Sequence, residues 1–561
     1  MPRTPPSGPD GARIRGRSNG SGSWTRFTRR LPVPLHQVRS LSLRPWALLF
    51  SLGLVLLDPL RPSHAWVALM AGQRARPLDG IFNRLPVLHS NQPEEVEGPG
   101  ILISTTPGYA YAAETGQPLR NAEFTFQGPF GMHLHHKYFP PYRSSIAPRQ
   151  RRTELTLAAI LINPGIRPVH IRFDAGAVRN SFEAPYLADN LMGVKPLGPR
   201  PWNTGPGDAT AIQMLRGRLD RRLEDEITIP ARSRLVLFQT ALPALGIANA
   251  LLRGHSDGPF QIAVVAASNP TSDADVLAVL DSGRLAPGRV YLNQLQQIRD
   301  RTVFSRVGGV ALGDSYKARL SHDLSRQGPL HVPFTSTSRH TFGTGEVQVN
   351  ALASRMVDSS LDNVGTYGVR FDVDLDLKGS GPYDLVMSHP SPTGGRQFTA
   401  FRGSLQIQMP EGLREVHVGL RSGESLSLAS LNLVPGVPHP IRVSMVYPAD
   451  ATPGHLLSVV PSSQLARVQE EQRQLALARQ RARPAAAPAA PPPALGVDPA
   501  PAPPAPGPRP VPTLRPVPAP PPIQRFQPSP PPLVPPLSIQ QSRDQPAIEV
   551  QRQLLRTWQT P

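Results

Sequence analysis

The sequence predicts a mainly β protein: one or two β-sandwich-like units with few short helices, followed by a helix and a disordered Pro-rich tail. Short runs rich in β-branched and aromatic residues recur between Gly, Pro, Asn and Asp through residues 73–460. Residues 463–483 are almost all good helix formers. In residues 484–536, 24 of 53 residues are proline, which prevents helix or sheet and favours extended polyproline II.

The body divides, by this pattern, into two β-rich units, residues 73–303 and 304–460. The predicted strands of the first unit are residues 101–104, 122–126, 153–161, 169–173, 235–238 and 260–265. Those of the second are residues 316–320, 368–377, 401–407, 415–420 and 441–447. Two segments look helical, residues 273–282 and 291–301; turn and capping residues precede the first, and Gly283 follows it.

The chain has no cysteine, which excludes disulfides, iron–sulfur clusters, Cys-ligated zinc and a thiol nucleophile. Its net charge of +19 is concentrated at the two ends. Residues 1–65 carry +8 and residues 461–561 carry +6, which leaves +5 for the body. A nucleic-acid-binding domain normally carries its basic patch on the folded surface. We therefore expect no nucleic-acid partner.

Residues 1–65 look like a signal peptide with a long basic n-region. Residues 47–57 form an apolar run of eleven, the length of a signal-peptide core and short for a bilayer span, which needs about 20. Small residues at Ser63 and Ala65 predict cleavage after Ala65. The alternative is a retained N-terminal anchor. The first interpretation predicts an exported protein of the periplasm or cell envelope, with no transmembrane helix in its mature form.

Five segments of the body resemble one known family. They are GPFGMHLHH at 128–136, FSRVGGVALG at 304–313, TFGTG at 341–345, GTYGV at 365–369 and YPADAT at 447–452. In this order they resemble the cyanobacterial family known as domain of unknown function 3370. The resemblance covers roughly residues 78–460 and implies an exported cyanobacterial protein. It implies no catalytic residues.

The densest histidine cluster is His133, His135 and His136. On a strand His133 and His135 share one face, a spacing that can chelate zinc, copper or iron. His170, His255 and His340 are candidates for a further ligand. The alternative interpretation is a polar strand edge with one histidine packed against Tyr138 or Phe139.

The GHSDG sequence at 254–258 fits the pattern of a serine-hydrolase nucleophile elbow, which requires a strand before the serine and a helix after it. Here residues 248–252 look helical or irregular, and a strand-like run follows. A turn leading into a strand explains these residues better.

Three alternating acids, Asp372, Asp374 and Asp376, suggest a calcium loop at first sight. Leu377 stands where such a loop has its glycine. Apolar residues alternate with the acids at the period of a half-buried strand, so the acids are predicted to form its solvated face.

The C-terminal region contains a predicted helix (463–483), a disordered Pro-rich linker (484–537) and a C-terminal tail (538–561) that could form a short amphipathic helix. At about 3.1 Å per residue, the extended linker spans on the order of 160 Å.

These patterns favour a secreted, non-enzymatic binding or structural module of the cell envelope with an extended tether. Its expected partner is an envelope protein, or a polysaccharide such as peptidoglycan. The alternative is a periplasmic enzyme that uses a divalent metal on His133, His135 and His136. Apart from that metal we expect no cofactor, and no catalytic residue is assigned.

Overall fold

The computed structural model describes residues 67–141, 154–186, 192–198, 204–392, 396–449 and 451–482. The predicted signal peptide, the Pro-rich linker and the C-terminal tail lie outside the described residues.

Strands dominate the described chain, as the sequence predicts. The elements of its first part are β1 (Ile81–Phe82), β2 (Pro86–Ser90), β3 (Glu95–Val96), β4 (Gly100–Ser104), β5 (Tyr109–Tyr111), β6 (Pro118–Arg120), β7 (Phe126–Tyr138), β8 (Glu154–Asn163), β9 (Val169–Asn180), β10 (Gly193–Pro196), α1 (Pro206–Leu215), β11 (Glu226–Ile229), β12 (Ser233–Pro243), β13 (Ile247–Ala267), α2 (Asp273–Asp281) and α3 (Leu295–Arg299).

The second part is mostly strand and ends in a long helix. Its elements are β14 (Gly308–Leu312), β15 (Ser315–Asp323), α4 (Leu324–Gln327), β16 (Leu330–Phe334), β17 (Leu352–Arg355), β18 (Arg370–Lys378), β19 (Gly381–Ser388), β20 (Thr399–Met409), β21 (Gly412–Arg421), β22 (Ser425–Leu433), β23 (His439–Val446), β24 (His455–Pro461) and α5 (Ser462–Ala482).

The first region of the described chain is an 11-stranded sheet. Its main path is β11-β9-β13-β7-β2-β14-β17; β3 joins β7, β4 and β8 join β13, and β12 joins β8. Strand β13 is 21 residues long and pairs with β7 and β9 along its first half, then with β8 and β4 along its second. A change of register between Ser256 and Phe260 separates the halves. One strand thus serves two parts of the sheet.

The second region is a β-sandwich. A 7-stranded sheet, β1-β15-β18-β23-β20-β21-β10, and a 4-stranded sheet, β16-β24-β19-β22, contribute to one shared apolar cluster. Phe334 and Phe371, one from each sheet, lie with ring centroids 5.7 Å apart. The 11-stranded sheet has its own cluster, in which the rings of Phe130 and Phe260 lie 4.9 Å apart.

Strands cross the predicted division near residue 303 in both directions. β1 and β10 belong to the 7-stranded sheet, and β14 and β17 belong to the 11-stranded sheet. The division into two units stays a prediction. The described chain shows how closely the two regions are interleaved.

One predicted strand of the first unit is wrong over most of its length. Residues 122–125 are not a strand, and β7 begins at Phe126. The backbone N–H groups of Ala122 and Phe124 bond to Ser104 and Thr105 in a loop instead. The segment predicted as helical at 291–301 is helical, as a 3₁₀ helix, Val290–Gln294, followed by the five-residue α3. Helix α2 is confirmed, with Ser272 and Asp275 forming a capping box.

Helix α5 packs on the start of the described chain. Leu465 and Val468 share a small apolar cluster with Val67, Leu69 and Met70. The Gln464 side chain donates a hydrogen bond to the Leu69 carbonyl at 3.0 Å. In the part of the chain that the structure describes, no helix is long and apolar enough to cross a membrane.

Candidate functional site

The predicted histidine cluster lies on β7 in the middle of the 11-stranded sheet. β7 pairs with β13 on one side and with β2, in parallel, on the other. His133 is 2% exposed, and His135 and His136 are fully buried. A buried polar side chain needs partners within the protein, so the role of each histidine depends on what its two nitrogens contact.

His133 meets a histidine that the sequence analysis did not single out. The parallel pairing of β2 and β7 places His89 opposite His133, and their Nδ1 atoms lie 3.3 Å apart. Burial lowers the pKa of His89 to about 3 and holds the pKa of His133 well below its ordinary value. The two rings therefore form a neutral pair at physiological pH.

His136 uses both of its ring nitrogens within the protein. Its Nδ1 donates to the Pro93 carbonyl at 2.7 Å, because a carbonyl oxygen can only accept. Its Nε2 must then accept from the Ser90 hydroxyl, which lies at 2.8 Å. Burial lowers the pKa of His136 to about 3. This neutral side chain ties β7 to the segment after β2.

His135 lies beside a second polar group. Its Nδ1 is 3.0 Å from the Asn249 Oδ1 atom, while the Asn249 amide donates to Thr210 at 2.6 Å. Its Nε2 lies 4.0 Å from a Glu94 carboxylate oxygen. His135 is thus held by Asn249 on β13, which is itself bonded to Thr210 on α1, and its other nitrogen faces Glu94.

Glu94 is the charged centre of this region. Its carboxylate bonds to the Lys137 ammonium at 2.9 Å and to the Arg306 guanidinium. Burial alone would raise the pKa of Glu94, but Arg306 and Lys137 outweigh burial and hold its pKa at about 2. The carboxylate is therefore ionised and already engaged by two cations.

A metal site on these histidines would need at least three ligands facing one point. Within the described ranges, no group of three or more His, Asp or Glu side chains is placed to hold a metal ion. His133, His135 and His136 instead contact His89, Asn249 and Ser90, respectively. The metal role of His133, His135 and His136 stays a prediction.

The GHSDG sequence lies within β13, where the strand changes register. Residues 248–252 are strand, so their expected helical or irregular structure is wrong. Strand continues on both sides of Ser256, which is not the context of a nucleophile elbow. The Ser256 hydroxyl accepts from the Gly128 N–H at 3.2 Å and donates to the Gly258 carbonyl at 3.0 Å. It stabilises the irregular part of the strand.

The alternating acids lie on β18 with the predicted orientation. The apolar residues between them are at most 1% exposed. Asp374 and Asp376 pair with the exposed Arg442 and Arg319, and the less exposed Asp372 pairs with Arg370.

A pair of exposed tyrosines forms a surface that the sequence analysis missed. Tyr109 and Tyr111 are 63% and 55% exposed, while Ala110 between them is buried. They lie on β5, which pairs with β6 in a two-stranded ribbon. The only sequence signal was a Tyr-Ala-Tyr alternation, too short to predict a strand. We refer to Tyr109 and Tyr111 on this support as the tyrosine ribbon.

The tyrosine ribbon is fixed to the body through backbone hydrogen bonds. Tyr111 donates its N–H to the Gly283 carbonyl at 2.8 Å and accepts from the Leu285 N–H at 2.9 Å. Arg120, opposite Tyr109, makes a forked ion pair with Glu123 at 3.2 and 2.7 Å. The two aromatic rings therefore project from a supported surface beside a charge-neutral polar pair.

Comparison with known proteins agrees with the resemblance seen in the sequence. A search among curated proteins finds no match. The family described as "Protein of unknown function (DUF3370)" matches residues 73–461, from shortly before β1 to the end of β24. Because this match covers more than half of the chain, the protein belongs to the DUF3370 family.

Proposed function

We propose that this protein is an exported, non-enzymatic module of the cell envelope that binds polysaccharide through the tyrosine ribbon. The observation that carries the proposal is the exposure of Tyr109 and Tyr111 on one face of an anchored two-stranded ribbon. Single exposed apolar residues need no explanation, whereas paired aromatics on a supported surface suggest a binding role.

The spacing and chemistry of the tyrosine ribbon suit a chain of sugar rings. Side chains two residues apart on a strand are separated by about 7 Å, the scale of neighbouring rings in a polysaccharide. The C–H face of a pyranose packs against an aromatic face, and the tyrosine hydroxyl remains available for hydrogen bonds. Glu123 neutralises Arg120, so this arginine offers no free positive charge to attract an acidic glycan. The pairing therefore favours a neutral glycan.

The non-enzymatic part of the proposal is supported by the polar groups of β7. Both ring nitrogens of His136 make hydrogen bonds within the protein, and Glu94 forms ion pairs with two cations. A general acid or base must reach a substrate proton and have a pKa near the working pH. Groups that are buried, neutral or already paired do not meet that requirement.

Export and tethering are supported by the packing at the two ends of the body. Val67, two residues after the predicted cleavage site, is buried in the cluster that also holds α5. The described residues thus include a buried side chain close to the predicted cleavage site. Helix α5 leads into the Pro-rich linker, which would place the body at a distance from whatever the C-terminal tail contacts.

The test is retention on isolated peptidoglycan and on neutral envelope polysaccharide. The mature chain, residues 66–561, is compared with residues 66–482, which keep α5, and with Tyr109→Ala/Tyr111→Ala. We expect both wild-type chains to be retained on polysaccharide and the double variant to lose at least about tenfold in affinity.

Two further variants make this experiment specific. Phe182→Ala removes a similarly exposed aromatic ring, 53% exposed, elsewhere on the surface and should leave retention unchanged. Tyr109→Phe/Tyr111→Phe keeps the ring faces and should retain most of the binding. Equal retention of the wild type and the double alanine variant would refute the proposed site. Retention of residues 66–561 only would move the binding role to the tail.

A further inference from the structure

A cavity of about 290 Å³ opens where the 11-stranded sheet meets the 7-stranded sheet. Its floor includes the buried side chains of Val87 on β2 and Leu251 on β13. Its more exposed rim carries Asp174, Arg253 and Arg370. Pockets at the junction of two structural regions are common places for small ligands.

The charged groups of this junction cavity are held in place and balance one another. Arg253 Nε lies 3.6 Å from the carboxylate of Asp314, which also lines the cavity and accepts from Asn83 at 2.6 Å. Arg370 bonds to Asp372 through Nε and to the Leu215 carbonyl through Nη1. Two guanidinium and two carboxylate groups therefore line one cavity with no net charge.

This lining offers both donors and acceptors over an apolar floor. A guanidinium carries five N–H donors, and the hydrogen bonds within the described residues use Nε and Nη1 of Arg370, so its Nη2 group remains for a ligand. Asp174, whose side chain is 42% exposed, pairs with Arg172 through Oδ1 at 3.4 Å and offers Oδ2 as an acceptor. Because this lining has no net charge, a charged ring would lose solvation on entering the cavity without a net electrostatic gain.

We propose that the junction cavity binds a single neutral sugar ring. A pyranose has an apolar C–H face for the floor and a rim of hydroxyl groups that both donate and accept. The volume lies just below the roughly 300 Å³ at which drug-sized pockets begin, which suits one ring better than an oligosaccharide. This inference deepens the proposed function. It rests on that proposal, which supplies polysaccharide as the source of the sugar ring.

The test is calorimetric titration of the full mature chain with free sugars. The probes are glucose and N-acetylglucosamine as neutral rings, glucuronate as an anion and glucosamine as a cation. We expect a neutral ring to bind with a dissociation constant of about 1 mM or lower and the charged rings at least about tenfold more weakly.

Three variants assign the binding to this cavity. Arg253→Gln and Asp174→Asn change half-exposed side chains, so the fold should tolerate them. Each should weaken neutral-sugar binding at least about tenfold. Arg319→Gln removes an exposed arginine of the Asp376 ion pair outside the cavity and should change nothing.

The outcomes separate this inference from the proposed function. If no neutral sugar binds, if a charged sugar binds more tightly, or if Arg253→Gln and Asp174→Asn bind as the wild type does, the cavity inference is wrong. Retention on polysaccharide that still depends on Tyr109 and Tyr111 would then leave the proposed function standing. In the opposite case, free sugar binds, Arg253→Gln weakens that binding, and the protein is not retained on polysaccharide. The cavity inference would then stand and the proposed function would be wrong.

Discussion

Strands β7 and β18 both run through the middle of a sheet, and both carry polar side chains. The polar side chains of β7 are buried, whereas those of β18 are partly exposed to solvent. The histidines of β7 are buried and contact groups from distant segments such as Ser90 and Asn249. The acids of β18 lie on an outer face and pair with neighbouring arginines. Removing a polar partner should therefore cost far more around β7 than on β18, since only there is a buried group left unsatisfied.

The largest effect on stability is expected at the buried ion pair between Arg289 and Asp358. Asp358 bonds to Arg289 at 2.9 and 3.0 Å, and both side chains are 0% exposed. Asp358→Asn leaves the buried guanidinium without its counter-charge, so we expect a loss of about 3–5 kcal/mol in the free energy of unfolding. Denaturant unfolding at pH 7.5 measures it. A loss below about 1 kcal/mol would show that solvent screens this pair as it does an exposed one.

Acid should destabilise the protein through its buried histidines. Burial lowers the pKa of His89 and His136 to about 3 and that of His389 to about 4. In the unfolded chain these groups titrate near about 6.5, so below that pH the unfolded state binds more protons. Stability is complete above about pH 6.5 and should fall by up to about 1.4 kcal/mol per pH unit for each such histidine.

This pH dependence is measured as the free energy of unfolding at pH 7.5, 6.5 and 5.5, above the range in which carboxylates titrate. A His89→Asn variant has one buried histidine fewer and should show a shallower slope. A flat profile between pH 7.5 and pH 5.5 would mean that these rings are solvated or already protonated in the folded protein.

A smaller loss is expected from one hydroxyl beside β7. Ser90→Ala removes the donor to His136 Nε2 and leaves a buried acceptor unsatisfied, which should cost about 1–3 kcal/mol. Ser321→Ala, on β15, removes an exposed serine hydroxyl and should change stability by no more than about 0.5 kcal/mol. Equal effects of the two substitutions would argue against a structural role for the His136 contact.

The smallest effect is expected on the outer face of β18. Asp374→Asn breaks the ion pair with Arg442, whose side chain is 58% exposed. Solvent replaces the lost interaction, so the cost should stay below about 1 kcal/mol and shrink further at high salt. A cost as large as that of Asp358→Asn would remove the distinction between the two surroundings.

The same contrast explains what the sequence could predict. The orientation of β18 follows from local alternation, because one face is apolar and the other solvated. The surroundings of β7 depend on its parallel pairing with β2, which places His89 opposite His133 across 44 positions of sequence. Local periodicity carries no information about such a partner.

Strand β13 shows another limit of local signals. Gly254, Gly258 and Pro259 indicate a turn, yet the strand passes through them by changing register. The tyrosine ribbon and the junction cavity were missed for related reasons. A three-residue strand is too short to predict, and the cavity is lined by residues from Val87 to Arg370 that only the tertiary fold brings together.

The central proposal is that the polar groups of β7 support the fold and do not serve as metal ligands. Metal analysis of the purified mature chain, after dialysis against a weak chelator, tests it most directly. We predict no zinc, copper or iron above trace level, and no difference between wild type and His135→Ala. Near-stoichiometric metal in the wild type that is lost in His135→Ala would contradict the claim and favour the metal-dependent enzyme.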